Sequence, residues 1–251
     1  MSQFSIADEA GEMAKKLANP IAALISVPIQ ANYDENLGPD DKGSRWKTNI
    51  QPVIPFSIGE NWNVISRTIL PIIDQEDIPV NGESDSGIGD TVQSFFFSPK
   101  QPTENGWVWG AGPVLLLDTA SDDNLGGEKW GAGPTAVVLK QDGPWTIGML
   151  ANHIESFAGE DDRDDVSATY MQPFLSYITH TKTTFSVSSE STYDWEGNDW
   201  SVPVIFSVKQ MLKVGDQLFQ VGGGVRYWAE SPTNGAEDWG FRMELVFLFP
   251  K

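Results

Sequence analysis

Two histidines are the first residues to weigh for chemistry, because imidazole changes charge nearest to neutral pH. His153 stands beside Ile154-Glu155, and His180 stands in the short stretch His180-Thr181-Lys182. Acyl transfer would require a Ser within reach of one ring and a third group to orient it. His153 with Glu155, or with the acids at 161–165, could imitate the acid–His pair of a protease, but an ordinary surface histidine is the simpler reading. The run Glu160-Asp161-Asp162-Arg163-Asp164-Asp165 offers Asp161, Asp162, Asp164 and Asp165 as weak ligands for a divalent ion. It lacks the alternating spacing and glycine of an EF-hand loop. There is no cysteine, which removes thiol catalysis, thiolate metal sites and disulfides. No cofactor and no catalytic residue is expected.

A second group of residues could act by charge instead. Arg45, Lys47, Arg67, Arg226 and Arg242, with Glu190 and Glu244, occupy alternating positions within apolar stretches. Such placement makes sense only if alternate residues face an aqueous interior. The elements that would carry them must therefore be strands.

The chain of 251 residues has a net charge of -19, which removes the unspecific attraction on which nucleic-acid binding rests. No apolar run is long enough for a spanning helix, and a mean hydropathy of -0.26 looks soluble. A transmembrane barrel hides its membrane signal, however, because each strand shows lipid only every second residue. Extended runs recur at 21–33, 44–57, 61–73, 87–97, 106–118, 128–140, 144–155, 166–179, 183–195, 200–210, 217–229 and 238–249. Twelve is an even number, as antiparallel closure requires. Their connections alternate between short turns and longer, acidic loops at 34–43, 74–86, 119–127, 156–165, 196–199 and 230–237. Most of the 35 acidic residues fall in those loops and their shoulders.

Tryptophan marks two levels. Trp46, Trp130, Trp195, Trp200, Trp228 and Trp239 fall at the ends carrying the long loops, and Trp62, Trp107, Trp109 and Trp145 fall at the opposite ends. Two aromatic girdles at the headgroup levels account for this. In the last strand Phe241, Met243, Leu245, Phe247 and Phe249 alternate with Arg242 and Glu244. In the second, Trp46, Ile50, Ile54 and Phe56 alternate with Arg45, Lys47, Asn49 and Gln51. An Arg or Lys turned to mid-bilayer lipid costs about 2–4 kcal/mol, so the polar sets are assigned to the lumen. Apolar Val53, Ile65 and Ile69 share the lumen faces, which makes the expected path amphipathic. The seventh strand has no clear register. Residues 1–19 read as a short amphipathic segment, with Ile6, Ala10, Met13 and Leu17 on one stripe and Asp8, Glu9 and Glu12 as its acids; Ser5 opens it and Asn19-Pro20 end it.

The order Asn19-Pro20-Ile21-Ala22, Gly131-Ala132-Gly133-Pro134, Gly143-Pro144-Trp145, Gln172-Pro173-Phe174, Trp200-Ser201-Val202-Pro203 and Phe247-Leu248-Phe249-Pro250-Lys251 resembles the outer-membrane channels of the MetA-pathway-of-phenol-degradation-like family. The resemblance runs from about residue 17 to the C-terminus. It implies a barrel obstructed by its N-terminal segment and uptake of hydrophobic or aromatic compounds. The glycines of Trp109-Gly-Ala-Gly-Pro113 and Trp130-Gly-Ala-Gly-Pro134 read as bends or as room for something in the lumen; a phosphate loop would need a strand-to-helix turn.

The sequence thus predicts an all-β fold: a twelve-stranded antiparallel transmembrane β-barrel over 20–251, with 1–19 as an N-terminal plug. The expected role is a monomeric channel of the bacterial outer membrane, in contact with lipid and lipopolysaccharide, passing a small-molecule substrate. Met1-Ser2-Gln3-Phe4 does not look like a secretion signal, which is taken to have been removed. The rivals are a barrel-embedded hydrolase and a soluble Trp-rich carbohydrate-binding β-sandwich.

Overall fold

The computed structural model describes residues 3–215 and 217–249, with side chains from Ala10 onward. After helix α1 (Gln3–Leu17), the strands are β1 (Ile25–Leu37), β2 (Gly43–Ile50 continued by Val53–Ile58), β3 (Trp62–Glu76) and β4 (Ser84–Ile88 continued by Thr91–Pro99). Next come β5 (Trp107–Leu117), β6 (Lys129–Asp142), β7 (Trp145–Gly159) and β8 (Ser167–Ile178). The last four are β9 (Thr183–Ser189 continued by Ser191–Asp194), β10 (Asp199–Val214), β11 (Gln217–Glu230) and β12 (Trp239–Phe249). Each pairs antiparallel with the next in sequence, and β12 pairs with β1 from Ile25↔Phe249 to Tyr33↔Phe241. The barrel is closed and leaves no sheet edge for another chain to pair with. A sandwich is excluded by that closure.

Each interruption of a strand has a local cause. β2 breaks at Gln51-Pro52, where proline has no N–H to donate. β9 breaks at Glu190, opposite Pro203 on β10, which has no N–H to return, so the ladder there is reduced to the bond from the Glu190 amide to the Pro203 carbonyl at 3.4 Å. β4 breaks at Gly89-Asp90, and the Asp90 carboxylate instead accepts from the amides of Thr119, Ala120 and Gly127 at 3.2, 3.2 and 2.7 Å.

The largest departure from expectation is at β1. It begins at Ile25, four residues later than the apolar pattern predicts, and runs on to Leu37. Residues 18–24 do not join the wall, because Ile21 and Leu24 are buried inside the barrel and the Asn19 side chain accepts from the Ile21 amide at 3.0 Å. Asp34 consequently moves from an expected loop into the wall.

Lipid-facing and lumen-facing residues alternate as the pleat requires. Ile54, Phe56, Ile147, Met149, Val204, Phe206, Phe241 and Met243 are exposed on the outside. Aromatic clusters sit at the two levels: Tyr33, Trp46 and Phe241, and Tyr227 with Trp239, at the long-loop end; Trp62 with Trp109, and Trp145 with Tyr177, at the other. Trp228 departs from the rest: it turns inward, where its indole N–H donates to Asp34 at 3.0 Å. The unassigned seventh strand resolves with Thr146, Leu150 and Ile154 buried inside.

Proline opposes proline where the two Trp-Gly-Ala-Gly-Pro repeats pair, at Pro113↔Pro134. A Cβ at Gly112 would run into the Phe95 carbonyl, and one at Gly133 into the His153 carbonyl. These two glycines let adjacent strands approach closely. Gly110, by contrast, leaves room for Ile21.

Candidate functional site

The lumen has two unlike walls. Across β3–β8, Ile65, Phe96, Val137, Leu139 and Leu150 form a buried apolar cluster with Ile21, joined by Val53, Tyr170 and Phe174. The opposite wall, from β9 through β12 to β1 and β2, carries an ion-pair belt. There Arg226 Nη1 donates to Asp34 at 2.7 Å. Arg242 makes two bonds of 2.7 Å to the Glu190 carboxylate, and its Nε donates to Asn32 Oδ1 at 2.6 Å. Lys209 meets Glu244 at 2.7 Å, and Glu244 also accepts from Gln30 at 3.1 Å. The belt continues through Gln51, which donates to Gln30 at 3.2 Å and accepts from Arg67 at 3.0 Å.

The predicted lumen residues Arg45, Lys47, Arg67, Glu190, Arg226, Arg242 and Glu244 therefore all face inward. The sequence places Arg45, Lys47, Arg226 and Arg242 close together, as an internal ion-pair network or as a basic sector that sets a constriction; in the structure they are not alike. Arg226 and Arg242 are neutralised by carboxylates, whereas no carboxylate lies within ion-pair distance of Arg45, Lys47 or Arg67 among the described residues. Asp34, Lys209, Asn32 and Gln30 are parts of the belt that the sequence reading missed. Their signal was the period-2 polarity of Gln30, Asn32 and Asp34, masked by the displaced start of β1.

One end of this space is closed by the helix. Met13 and Ala14 are buried with Leu24, Ile178, Met211, Leu218, Val246 and Leu248, and Ala10 and Leu17 pack against the same cluster. These wall residues belong to the short-turn ends of their strands, so the helix stops that mouth. Gln141 secures it by donating to the Lys15 carbonyl at 2.9 Å, and Lys15 and Lys16 complement the helix's negative end. Glu12 is exposed. The side chains of Ile6, Asp8 and Glu9 lie outside the described residues, and the helix begins ahead of the expected Ser5 cap.

Between helix and belt lies a cavity of about 220 Å³, reached by Leu17, Val53, Phe174, Arg67, Glu190 and Arg242. At the long-loop mouth, residues 118–128 fold over the lumen face of β3. Leu125 is buried, and Gln75 donates to the Asn124 carbonyl at 3.4 Å. The space is thus narrowed at both ends.

The other candidates lie away from this space. His153 points outward, bonded to Thr169 at 2.9 Å and to Glu155 at 3.3 Å. Ser167 donates to that same Glu155 carboxylate at 2.9 Å. The carboxylate sits between Ser and His, whereas a triad needs the imidazole there to take the hydroxyl proton. His180 is an exposed turn residue. Among the described residues no three acids converge as a metal site. Within the run at 161–165, Asp165 is taken by Lys129 at 3.1 Å and by Ser156 at 3.3 Å. The hydrogen bond and charge of Lys129 hold Asp165 below the usual carboxylate range. Arg163 meets Glu128 and donates to the carbonyls of Asp123 and Gly126.

No protein-family model matches the chain, and no curated protein does. Solved structures resemble it in fold. The COG4313 outer membrane channel from Pseudomonas putida F1 superposes with a TM-score of 0.71 at 14% identity, covering 90% of this chain and 96% of that one. The β-domain of the Bordetella autotransporter BrkA gives a TM-score of 0.49 at 11% identity, covering 90% of this chain and 100% of that one. The chain has the closed, twelve-stranded architecture of outer-membrane barrels, with its N-terminal helix packed against the inner wall.

Proposed function

We propose that the protein is a monomeric, narrow channel of the bacterial outer membrane through which small amphipathic molecules, aromatic compounds among them, pass by diffusion. The observation that carries this reading is the two-sided cavity behind the helix: an apolar wall faces an ion-paired one across a space about the size of a small organic molecule. A general porin would present water on all sides; a purely structural barrel has no use for a cavity with one wet and one greasy face. The likeness in fold to a protein described as an outer membrane channel supports the reading, as does the resemblance to phenol-degradation channels. Lipid and lipopolysaccharide are the partners of the outer surface, whose rim acids would meet lipopolysaccharide through divalent ions. The chemistry proposed is passage, with no cofactor.

Planar-bilayer recording of the purified protein tests this. The full chain is expected to conduct weakly, in brief openings, and deletion of residues 2–18 to raise conductance severalfold. Silence from both, with the barrel folded, would rule the channel out.

A further inference from the structure

In the wall that carries the belt the charges do not balance: its cations outnumber its carboxylates. Asp34, Glu190 and Glu244 are each taken by a cation of the wall, namely Arg226, Arg242 and Lys209. Arg45, Lys47 and Arg67 are left with no carboxylate within ion-pair distance among the described residues. The register puts Lys47 opposite Asn32 and Arg45 opposite Asp34, so both project into the outer half of the lumen. Lys47 is exposed there. Arg45 Nε and Asn49 Oδ1, on the same strand face, are buried without a hydrogen-bond partner. Arg67 lies deeper, on the cavity wall, where its guanidinium donates to the neutral Gln51 at 3.0 Å.

A cation set into a wall loses part of its hydration, and an opposite charge compensates for that better than a neutral acceptor does. A wall built solely for rigidity would match these three cations with carboxylates, as it matches the other three. A negative charge brought from outside would complement them. The neighbouring surface says what else that visitor carries. Arg67 shares the cavity with Val53 and Phe174, and that apolar wall continues into Ile65, Phe96 and Leu150.

We propose that the cargo is an organic anion, a small molecule with an apolar body and a single carboxylate head, met first by Arg45 and Lys47 and then by Arg67 beside the apolar wall. The three cations are spread along the path and not gathered around one point, which suits a monoanion handed inward and not a phosphate held by several cations at once. The acidic outer loops oppose an approaching anion. At physiological salt their field fades over about 8 Å, whereas the lumen cations act at contact in a wall of low dielectric. The inference rests on the channel reading for the direction of movement, but its binding step is separable from conduction.

The test is binding to the purified, folded full chain in detergent, by titration calorimetry, with benzoate, benzamide and benzylammonium as probes of one shape and three charges. Benzoate is expected to bind at least about tenfold more tightly than the other two. Lys47→Gln combined with Arg67→Gln is expected to erase that preference, and Arg67→Lys to retain most of it. Heat-modifiable migration on gels confirms that each variant is folded; should the double variant fail, the wild-type comparison of the three probes decides alone. Equal affinity for benzoate and benzamide, preference for benzylammonium, or no benzoate binding at 10 mM-scale concentrations (about the weakest useful affinity) would each overturn the proposal. Charge preference without conductance would leave the binding site standing and remove the channel. Conductance without charge preference would do the reverse.

Discussion

Arg242 on β12 grips Glu190 on β9 through two parallel bonds of 2.7 Å, reaching across β10 and β11 to a strand three places away in the wall. Two features make the reach possible. Gly222 and Gly224 place no side chain on the intervening lumen face of β11. The break in β9 at Glu190 loosens the ladder there to a long bond, from the Glu190 amide to the Pro203 carbonyl at 3.4 Å. Both partners are largely shielded, with 5% and 20% of their side chains exposed. Bidentate guanidinium–carboxylate geometry is the strong form of this contact.

Removing one partner would strand the other charge. Glu190→Ala is expected to destabilise the barrel by about 3 kcal/mol, the lower end for a broken buried pair. Pairing Glu190→Ala with Arg242→Met should cost clearly less than the two single changes together. Urea unfolding in lipid vesicles, run as a double-mutant cycle, measures this. Additive losses would mean the pair contributes no mutual stabilisation.

The close strand approach at Gly133 makes a steric prediction. Gly133→Ala drives a methyl into the His153 carbonyl, whereas at Gly127 an added Cβ meets nothing nearer than 3.8 Å. Gly133→Ala should sharply lower the yield of heat-modifiable, folded barrel, and Gly127→Ala should match the wild type. Normal folding of Gly133→Ala would show that the two strands can separate there at little cost.

Trp228 is set apart from the girdles by its bond to Asp34 and by the Arg226 guanidinium 5.0 Å from its ring centre. Brominated lipids quench tryptophans that touch the bilayer. Trp239→Phe should remove part of the quenchable fluorescence, because Trp239 is 59% exposed on the outside. Trp228→Phe should remove almost none of it. Equal losses would place Trp228 in lipid.

At the outer rim, Asp165 is bound by Lys129 and Ser156, and its carboxyl is held below the ordinary range. A depressed carboxylate stabilises above its unfolded value, about 3.9, and that contribution is lost as pH falls through the lower folded value. The loop at 160–166 should therefore keep its protection from protease at pH 5–8, and Asp165→Asn should abolish much of it across that whole window. Trypsin cleavage after Arg163, timed at pH 7, is the readout. An unchanged rate in Asp165→Asn would mean the Arg163 contacts alone hold the loop.

The number of strands, the alternation of loops and the two aromatic levels were legible in the chain because they follow from local pattern. A side chain's face depends only on a period of two, and a tryptophan's depth only on its distance from a strand end. On that basis Arg45, Lys47, Arg67, Glu190, Arg226, Arg242 and Glu244 could all be assigned to the interior. The start of β1 could not be read, since Ile21, Ala22 and Leu24 are as apolar as a strand. Their burial beneath the helix depends on a cavity that exists only after closure. Nor could the pairing of charges be read. Whether Arg242 meets Glu190, or Lys209 meets Glu244, is set by how far the strands slide past one another as β12 closes on β1. The sequence by itself determined that basic residues line the inside of a barrel. Only the tertiary structure decided which were cancelled by carboxylates and which were left for a visitor, because an ion pair forms or fails within a few ångströms and strand register is what supplies or withholds that distance.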